Sequence, residues 1–444
     1  MAMIETEIKP TSQKIGFVHL GCPKNLVDTE HMLGLLNQAG HRIVGDDSEA
    51  DVMLVNTCSF IDQSQQESVR HLVHLAEAGK KIIVTGCLAQ KYQDELLNLI
   101  PEAMAVVGTG DMGNIVDVLD RVNRGERVIS ITQDPDYILE DDSKRLNITV
   151  GSYVYLKIAE GCDYRCSFCI IPSMRGDFRS RGFESIVEDA KRYTEKGVPE
   201  IILVGQDTTS YGKESGKNLA QLLRALNEID GIGRIRFLYA YPNLVTDELL
   251  DTIAECDKVV KYLDCPLQHM HPEVLRRMRR PVMDHVAFAE RVRSHVPNVK
   301  IRTGLIVGFP GETEEHFEFL METVQQARFD RLGVFEYSDV EGAHSKGLDG
   351  KVAKAEIKRR RNEVMALQQG IALAQNKLLL GQTLEVLVDT ADPDKNTFIG
   401  RTEWDAPEID NLVYGKGAVI PGEIVPVFIR DVTPYDLKGE AVLA

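Results

Sequence analysis

No apolar run in the 444-residue chain reaches the ~18 residues of a membrane span, which excludes a helical membrane anchor within this sequence. The stretch Met1–Lys14 is polar and lacks the apolar segment of a secretory leader, so the expected location is cytoplasmic. Internal repeats and low-complexity tracts are also missing. Positive charge is in short supply: 51 Lys and Arg stand against 68 Asp and Glu, for a formal net charge of −17. Proteins that grip nucleic acid draw much of their affinity from Lys and Arg displacing counterions, so an acidic chain points toward a basic protein or a small molecule. A local basic patch remains compatible with that balance. What is present is ordinary globular material, 43% hydrophobic, enough at about 150 residues per domain for two to four domains.

Eight cysteines are unevenly spread: Cys22, Cys58, Cys87, Cys162, Cys166, Cys169, Cys256 and Cys265. Reducing cytosol keeps thiols free, so clustering of this kind points to metal ligation and away from disulfides. Three of them occupy equivalent places. Short β-rich runs at Ile15–Leu20, Val52–Asn56, Lys81–Thr85 and near Ala105–Val107 alternate with helical patterns at Lys24–Ala39, Asp62–Ala78 and Tyr92–Ile100. That alternation predicts a doubly wound parallel sheet over residues 13–125. Cys22, Cys58 and Cys87 each follow the C-terminal end of one of its strands. Parallel strands present all such ends along one edge, where ligands bind, so residues 36 and 29 positions apart can meet. The alternative is three inert core thiols.

Residues Arg124–Val150 are charged and turn-rich and read as a linker. Six strand candidates follow, at Tyr153–Ile158, Ile201–Val204, Ile235–Tyr239, Val260–Asp264, Ile301–Val307 and Leu332–Glu336, with helical stretches between them. The pattern predicts a partial (β/α)6 barrel over 148–377 with its site at the strand C-termini. Lys351–Leu380 reads as one long helix. Its Lys358-Arg359-Arg360-Arg361 run fits a solvated face better than a nucleic-acid contact. From 380 to 444, short β runs broken by Gly, Pro and Asp predict a small all-β barrel. The fold class is therefore α/β with three domains.

The sharpest signal is Glu-Gly-Cys162-Asp-Tyr-Arg-Cys166-Ser-Phe-Cys169, on the loop after the first barrel strand. Three thiolates at this spacing can hold three irons of a [4Fe–4S] cluster, whose full protein set would be four cysteines. With no fourth cysteine nearby, the remaining iron can take an external ligand. Structural zinc is the competing reading, but it needs a closed set of four, which only distant Cys256 or Cys265 could complete.

In this motif the sequence resembles the radical S-adenosylmethionine superfamily, which carries Cys-x3-Cys-x2-Cys after the first strand of a partial barrel. The resemblance implies that the open iron chelates S-adenosylmethionine and that electron transfer from the cluster cleaves the sulfonium to a 5′-deoxyadenosyl radical. It places Phe168, before the third cysteine, near the adenine. It also assigns Gly304 and Gly308, in the Gly-Leu-Ile-Val-Gly run of the fifth strand, to adenosine contact. Gln268 after the fourth strand is a further candidate ligand contact, while His269 beside it has an equally good structural reading. One departure stands out: the superfamily's Gly-Gly-Glu at the end of the second strand is Gly205-Gln206-Asp207 here.

The three domains together resemble the methylthiotransferase family, whose C-terminal barrel is of the TRAM type. Carried over, the resemblance gives Cys22, Cys58 and Cys87 a second [4Fe–4S] cluster that presents sulfur. It implies two uses of S-adenosylmethionine, a sulfide or polysulfide source and an electron donor such as flavodoxin. One branch of the family modifies adenosine in transfer RNA; another modifies an aspartate β-carbon in the twelfth protein of the small ribosomal subunit, free or assembled. The runs at Gly21–Glu30, Cys169–Arg181, Tyr337–Ser345 and Asp405–Asp410 are similar to the ribosomal-protein branch, and transfer RNA is the alternative substrate. Charge agrees: from Lys377 to Ala444 six basic residues face twelve acidic ones, suited to a basic protein. Arg175, Arg179 and Arg181 are expected at the active-site mouth, on a substrate carboxylate or as surface charge. Cys256 and Cys265 are expected to be core thiols.

Overall fold

A computed structural model describes residues 12–59, 62–149 and 151–442. The polar residues 1–11 and the last two residues of the C-terminal β range lie outside these. Two compact units divide the chain, one of residues 1–148 with 170–177, the other of 149–169 with 178–444.

The first unit is a six-stranded sheet. Its strands are β1 (Lys14–His19), β2 (Arg42–Ile43), β3 (Val52–Thr57), β4 (Lys81–Gly86), β5 (Ala103–Val107) and β6 (Val128–Ser130), in the order β2-β1-β3-β4-β5-β6. Every pairing is parallel, as expected of crossovers through helices. The crossovers are α1 (Pro23–Gln38), α2 (Asp62–Glu77), α3 (Cys87–Tyr92), α4 (Asp94–Leu99) and α5 (Ile115–Asn123). The apolar strand cores of β3 and β4 are buried on both faces, with one cluster of Met53, Val55, Ile82 and Val84 and another of Val52, Leu54 and Ile83.

Two expectations change here. The helix expected over Tyr92–Ile100 is α4, and an unforeseen short helix α3 precedes it, set off by Gln93 with a left-handed φ of 45°. The stretch read as a linker contains edge strand β6, and its far end is fastened down. Arg145 is buried and bonds the Glu30 carboxylate at 2.6 Å and Asp142 at 2.9 Å, while Leu146 and Ile148 pack on the core. Charges that look solvated in sequence are here paired internally.

The second unit opens with β7 (Tyr153–Lys157) and β8 (Ala159–Glu160). After the short helix α6 (Ile171–Arg175), which groups with the first unit, come β9 (Arg179–Ser180), α7 (Phe183–Glu195), β10 (Glu200–Val204), α8 (Leu219–Asn227) and β11 (Arg234–Phe237). Then follow α9 (Asp247–Glu255), β12 (Tyr262–Asp264), α10 (Pro272–Met278), α11 (His285–His295), β13 (Lys300–Val307), α12 (Glu314–Ala327) and β14 (Arg331–Glu336). The six main strands form two parallel triplets, β11-β10-β7 and β12-β13-β14, joined by a single bridge from Ile235 to Val259. Thr313 caps α12 through its hydroxyl, which accepts from His316 N–H at 3.3 Å, with Glu314 and Glu315 favourably placed in the first turn.

Helix α13 (Lys354–Lys377) carries the basic run, which turns out to be neither free nor wholly solvated. Arg360 is buried and bonds Glu312 at 2.9 Å and Glu356 at 2.8 Å. Arg359 bonds Glu314 at 2.7 Å and Glu363 at 2.8 Å. The chain ends in a closed five-stranded barrel of β15 (Thr383–Asp392), β16 (Thr397–Thr402), β17 (Val413–Lys416), β18 (Ile424–Val432) and β19 (Leu437–Ala441).

That barrel is bolted to the N-terminal ends of the parallel strands. Arg401 reaches Glu200, the first residue of β10, at 2.7 Å, and Glu200 also accepts from Arg236 at 2.9 Å. Arg331 at the start of β14 bonds Asp405 at 2.7 Å, and Tyr262 at the start of β12 donates to Asp410 at 2.6 Å. Asp405 and Asp410 are thus part of an internal dock, and the acidic count of the barrel overstates its solvent-facing charge.

Burial alone raises the Glu200 carboxyl, but Arg401, Arg236 and Arg234 overcome it and hold the group at about 2. A depressed carboxyl contributes stability that is full above its unfolded value near 4.5 and is lost as pH falls through about 2. Removing one partner of such a buried pair strands the other charge, so Arg401→Ala should cost about 3–5 kcal/mol in denaturant unfolding. In the same variant, the steep loss of stability between pH 4.5 and 2 should flatten; an unchanged acid limb would show that the Glu200 pair contributes little.

Candidate functional site

Register does most of the work in the first unit. Thr57 of β3 lies beside Gly86 of β4, so the next residues, Cys58 and Cys87, leave adjacent strands at the same level. His19 of β1 lies beside Asn56, and three residues later Cys22 caps the N-terminus of α1. Two glycines let the turns close up. Gly21 has φ 102°, and a β-carbon there would stand 3.1 Å from the Cys58 sulfur; Gly86 has φ 91°, and a β-carbon there would stand 2.2 Å from Asn56 Oδ1. Any other residue would wedge the cysteine turns apart.

Asn25 ties the turns together. Its amide donates to Leu20 O and Thr57 O, each at 3.1 Å, so one buried side chain holds the β1–α1 and β3–α2 turns. Ser68 of α2 accepts from Cys58 N–H and donates back to Cys58 O, both at 3.0 Å. Arg175, from the segment after Cys169, is also buried here. It reaches Asp28 at 3.0 Å and Asn25 Oδ1 at 2.6 Å, and its helix packs against α3, which begins at Cys87. Burial pushes the Cys22 thiol up, yet Lys24, Arg175 and the N–H groups of the first turn of α1 outweigh it and leave the thiol below its ordinary value. Cys87 stays raised by burial. Three thiols on turns at one sheet edge, two close-approach glycines and a thiol held below its ordinary value fit a cluster with three protein ligands.

In the second unit, the Cys162–Cys169 loop leaves the C-terminal end of β7 through β8 and Gly161, whose φ is 77°. Ser167 pins it: its N–H donates to Met278 O at 3.0 Å and its hydroxyl to Arg277 O at 2.8 Å. Cys169 N–H closes the loop on Cys166 O at 3.0 Å. Burial pushes the Cys162 thiol up to about 11. Tyr164 stacks on Tyr241 at 3.6 Å, Arg280 covers the ring at 4.2 Å, and its Nη1 lies 4.0 Å from the Cys166 sulfur. Sequence reading missed both Tyr241 and Arg280, since nothing local marks a residue over 70 positions downstream as a neighbour of the loop.

Phe168 packs against Val274, Met278 and Phe309. Gln206 donates to Glu160 at 2.6 Å, and its own Oε1 is buried without a hydrogen-bond partner. Glu160 is in turn bonded to Lys157 at 2.7 Å. Gln268 and Gly304 meet through the backbone, Gln268 N–H donating to Gly304 O at 2.9 Å, and Gln268 takes a left-handed φ of 74°. Gly205 is buried, with only ordinary contact around a β-carbon. Gly308 has a packing reason of its own: a β-carbon would stand 2.3 Å from Ile357, and its N–H is held by Glu312 at 2.6 Å.

Other candidates move inward. Arg181 is buried and paired with Asp189, away from both roles foreseen for it. Arg179 belongs to β9, opposite Glu160. His269 is fully buried, its Nδ1 accepting from His271 N–H at 3.0 Å, the structural role. Cys256 and Cys265 are buried core thiols. His271, Glu273 and His316 converge, but both histidines use Nδ1 to accept backbone N–H groups, at 3.3 Å each. In the neutral rings the proton then sits on Nε2, facing the place a cation would take, so the trio is a capping arrangement.

Family models match the chain in three places: an uncharacterized family, UPF0004, over residues 14–108, the radical SAM superfamily over 156–324, and the TRAM domain over 380–442. Among solved structures, the radical S-adenosylmethionine methyltransferase TsrM from Kitasatospora setae superposes with a TM-score of 0.54 at 13% identity, covering 73% of this chain and 75% of that one. Parallel β/α units ending in a Cys-x3-Cys-x2-Cys loop thus define a radical SAM enzyme, and that class implies a [4Fe–4S] cluster and S-adenosylmethionine. Curated relatives named ribosomal protein uS12 methylthiotransferase RimO resemble the whole chain. The Thermosynechococcus vestitus protein is 51% identical, over 97% of both chains. The Microcystis aeruginosa protein is 49% identical over 98% of this chain and 99% of its own. The chain belongs to this RimO family of methylthiotransferases.

If Asn25 is the knot of the first site, Asn25→Ala should destabilise the cofactor-free protein by about 2–3 kcal/mol, since it leaves two carbonyls and one guanidinium unsatisfied. Denaturant unfolding of the metal-free protein measures this, and a loss under 0.5 kcal/mol would deny it.

Proposed function

We propose that the chain transfers a methylthio group to the β-carbon of an aspartate in small-subunit ribosomal protein uS12. The observation that carries this is identity of 48% or more, over 96% or more of this chain, to relatives that bear that substrate in their name. In this reading Cys162, Cys166 and Cys169 hold one [4Fe–4S] cluster, and Cys22, Cys58 and Cys87 hold a second. When bound, the first supplies the electron that cleaves S-adenosylmethionine, and the second presents the sulfur that is inserted. Sulfur comes from a sulfide or polysulfide source and the electron from a donor of the flavodoxin class.

The chain's own residues supply placement. Phe168, backed by Val274, Met278 and Phe309, offers an apolar surface suited to adenine. The unpartnered Gln206 Oε1 is an acceptor suited to the methionine ammonium, the task that Gly-Gly-Glu has elsewhere, with Glu160 orienting the amide. Gln268 and Gly304 sit together at the strand edge, where the backbone gives the adenosine close approach.

Protein as substrate is favoured over RNA by charge. Arg359 and Arg360 of α13 are tied to glutamates, and residues 377–444 carry six basic residues against twelve acidic ones, a balance that suits a basic protein better than phosphate. No helix among the described residues is long and apolar enough to cross a membrane; the cytoplasm is the proposed location.

Mass spectrometry of uS12 from a deletion strain should show loss of the methylthio increment, restored by the wild-type chain and not by Cys22→Ala or Cys166→Ala. Intact uS12 together with loss of a transfer-RNA methylthio group would overturn the proposal.

A further inference from the structure

Arg175, expected on a substrate carboxylate or as surface charge, is instead a buried cation. It lies six residues beyond Cys169, yet its segment belongs to the first unit, and only 2% of it is exposed. A buried guanidinium needs counter-charge and hydrogen-bond acceptors for its five N–H groups. Asp28 at 3.0 Å and Asn25 Oδ1 at 2.6 Å meet part of that need. These contacts seat the guanidinium at the thiol trio, because Asn25 also ties the Cys22 and Cys58 turns through Leu20 O and Thr57 O, and α6 packs against α3, which begins at Cys87. A planar fork can serve an amide and a carboxylate at once, which a lysine ammonium on its flexible stem cannot do with the same geometry.

We propose that Arg175 is a positioning residue for the cluster held by Cys22, Cys58 and Cys87, bracing through Asn25 the turns that carry two of its ligands and raising its reduction potential. This rests on the reading that those cysteines hold a cluster. Reduction adds negative charge to a cluster, and a nearby cation or a donor to its sulfurs stabilises that charge, which moves the potential upward. Asp28 moderates the effect, because its carboxylate cancels part of the guanidinium's field at the sulfurs. A cluster poised in this way is a poor donor to the sulfonium. The low-potential task is left to the site of Cys162, Cys166 and Cys169. A purely structural role, pinning α6 to α1 through Asp28, would predict no such ordering of potentials.

The test uses the full-length chain carrying Cys162→Ala, Cys166→Ala and Cys169→Ala, so that only the first trio can bind iron. After anaerobic reconstitution with iron and sulfide, iron is counted and the cluster is titrated potentiometrically by electron paramagnetic resonance. This parent should hold about four irons; if it holds none, the second-cluster reading itself fails. Added to the parent, Arg175→Met should keep its iron and shift the midpoint potential down, Arg175→Lys should shift it down by less, and Asp28→Asn should shift it up. Unchanged potentials at full iron, or shifts of one sign in Arg175→Met and Asp28→Asn, would overturn the proposal. Should Arg175→Met hold no iron, the opposed shifts of Arg175→Lys and Asp28→Asn decide the matter, and their absence rejects it.

Discussion

Parallel strand pairing is the constraint from which the rest follows. In a parallel sheet every strand ends at the same edge, so cysteines placed one to three residues beyond a strand end converge with no contact between them in sequence. The first unit uses this for Cys22, Cys58 and Cys87. The second unit uses the same edge of a different sheet, but gathers its three thiols within one loop after β7. Both solutions bring three thiols to one strand edge. They differ in what braces them: a buried amide and guanidinium in one, and the carbonyls of α10 with an aromatic stack in the other.

Buried arginines recur through the molecule with separate duties. Arg145 fastens the strap that follows β6, and Arg401 and Arg331 bolt the C-terminal barrel to the strand N-termini. Arg360 steadies Glu312, whose carboxylate accepts the N–H groups of Gly308 and Phe309 at the end of β13. Burial pushes Glu312 up, but His269 and Arg360 outweigh it and keep it an anion able to accept those bonds. The barrel's dock lies at the strand ends opposite the Cys162–Cys169 loop. The barrel therefore stands at the far strand ends from the cysteines of its own unit.

Much of this was legible in sequence because the signals are local. Apolar runs of four to eight residues marked the strands, and glycine or threonine before cysteine marked the turns, so the strand edge and all six proposed ligands could be read directly. The central spacing was strong enough to stand without the rest. What stayed hidden depends on contacts between remote segments. Asp142 and Arg145 read as linker charges because Glu30 is more than a hundred residues away. Arg175 and Arg181 read, with Arg179, as charges of the site mouth or of the surface, whereas one is buried on Asp28 and the other pairs with Asp189. Counting carboxylates in the C-terminal barrel could not reveal that Asp405 and Asp410 face inward to Arg331 and Tyr262. Gly308 is legible as a required glycine, but its packing against Ile357 is not.

The central claim is that two separate three-thiolate sites each hold an iron–sulfur cube with one iron free of protein ligands. Mössbauer spectroscopy of oxygen-protected wild-type chain, enriched in ⁵⁷Fe, tests it most directly. The account predicts two [4Fe–4S] clusters per chain, with added S-adenosylmethionine perturbing a single iron of one of them. A spectrum with one cluster per chain, or with zinc in place of iron at either trio, would contradict it.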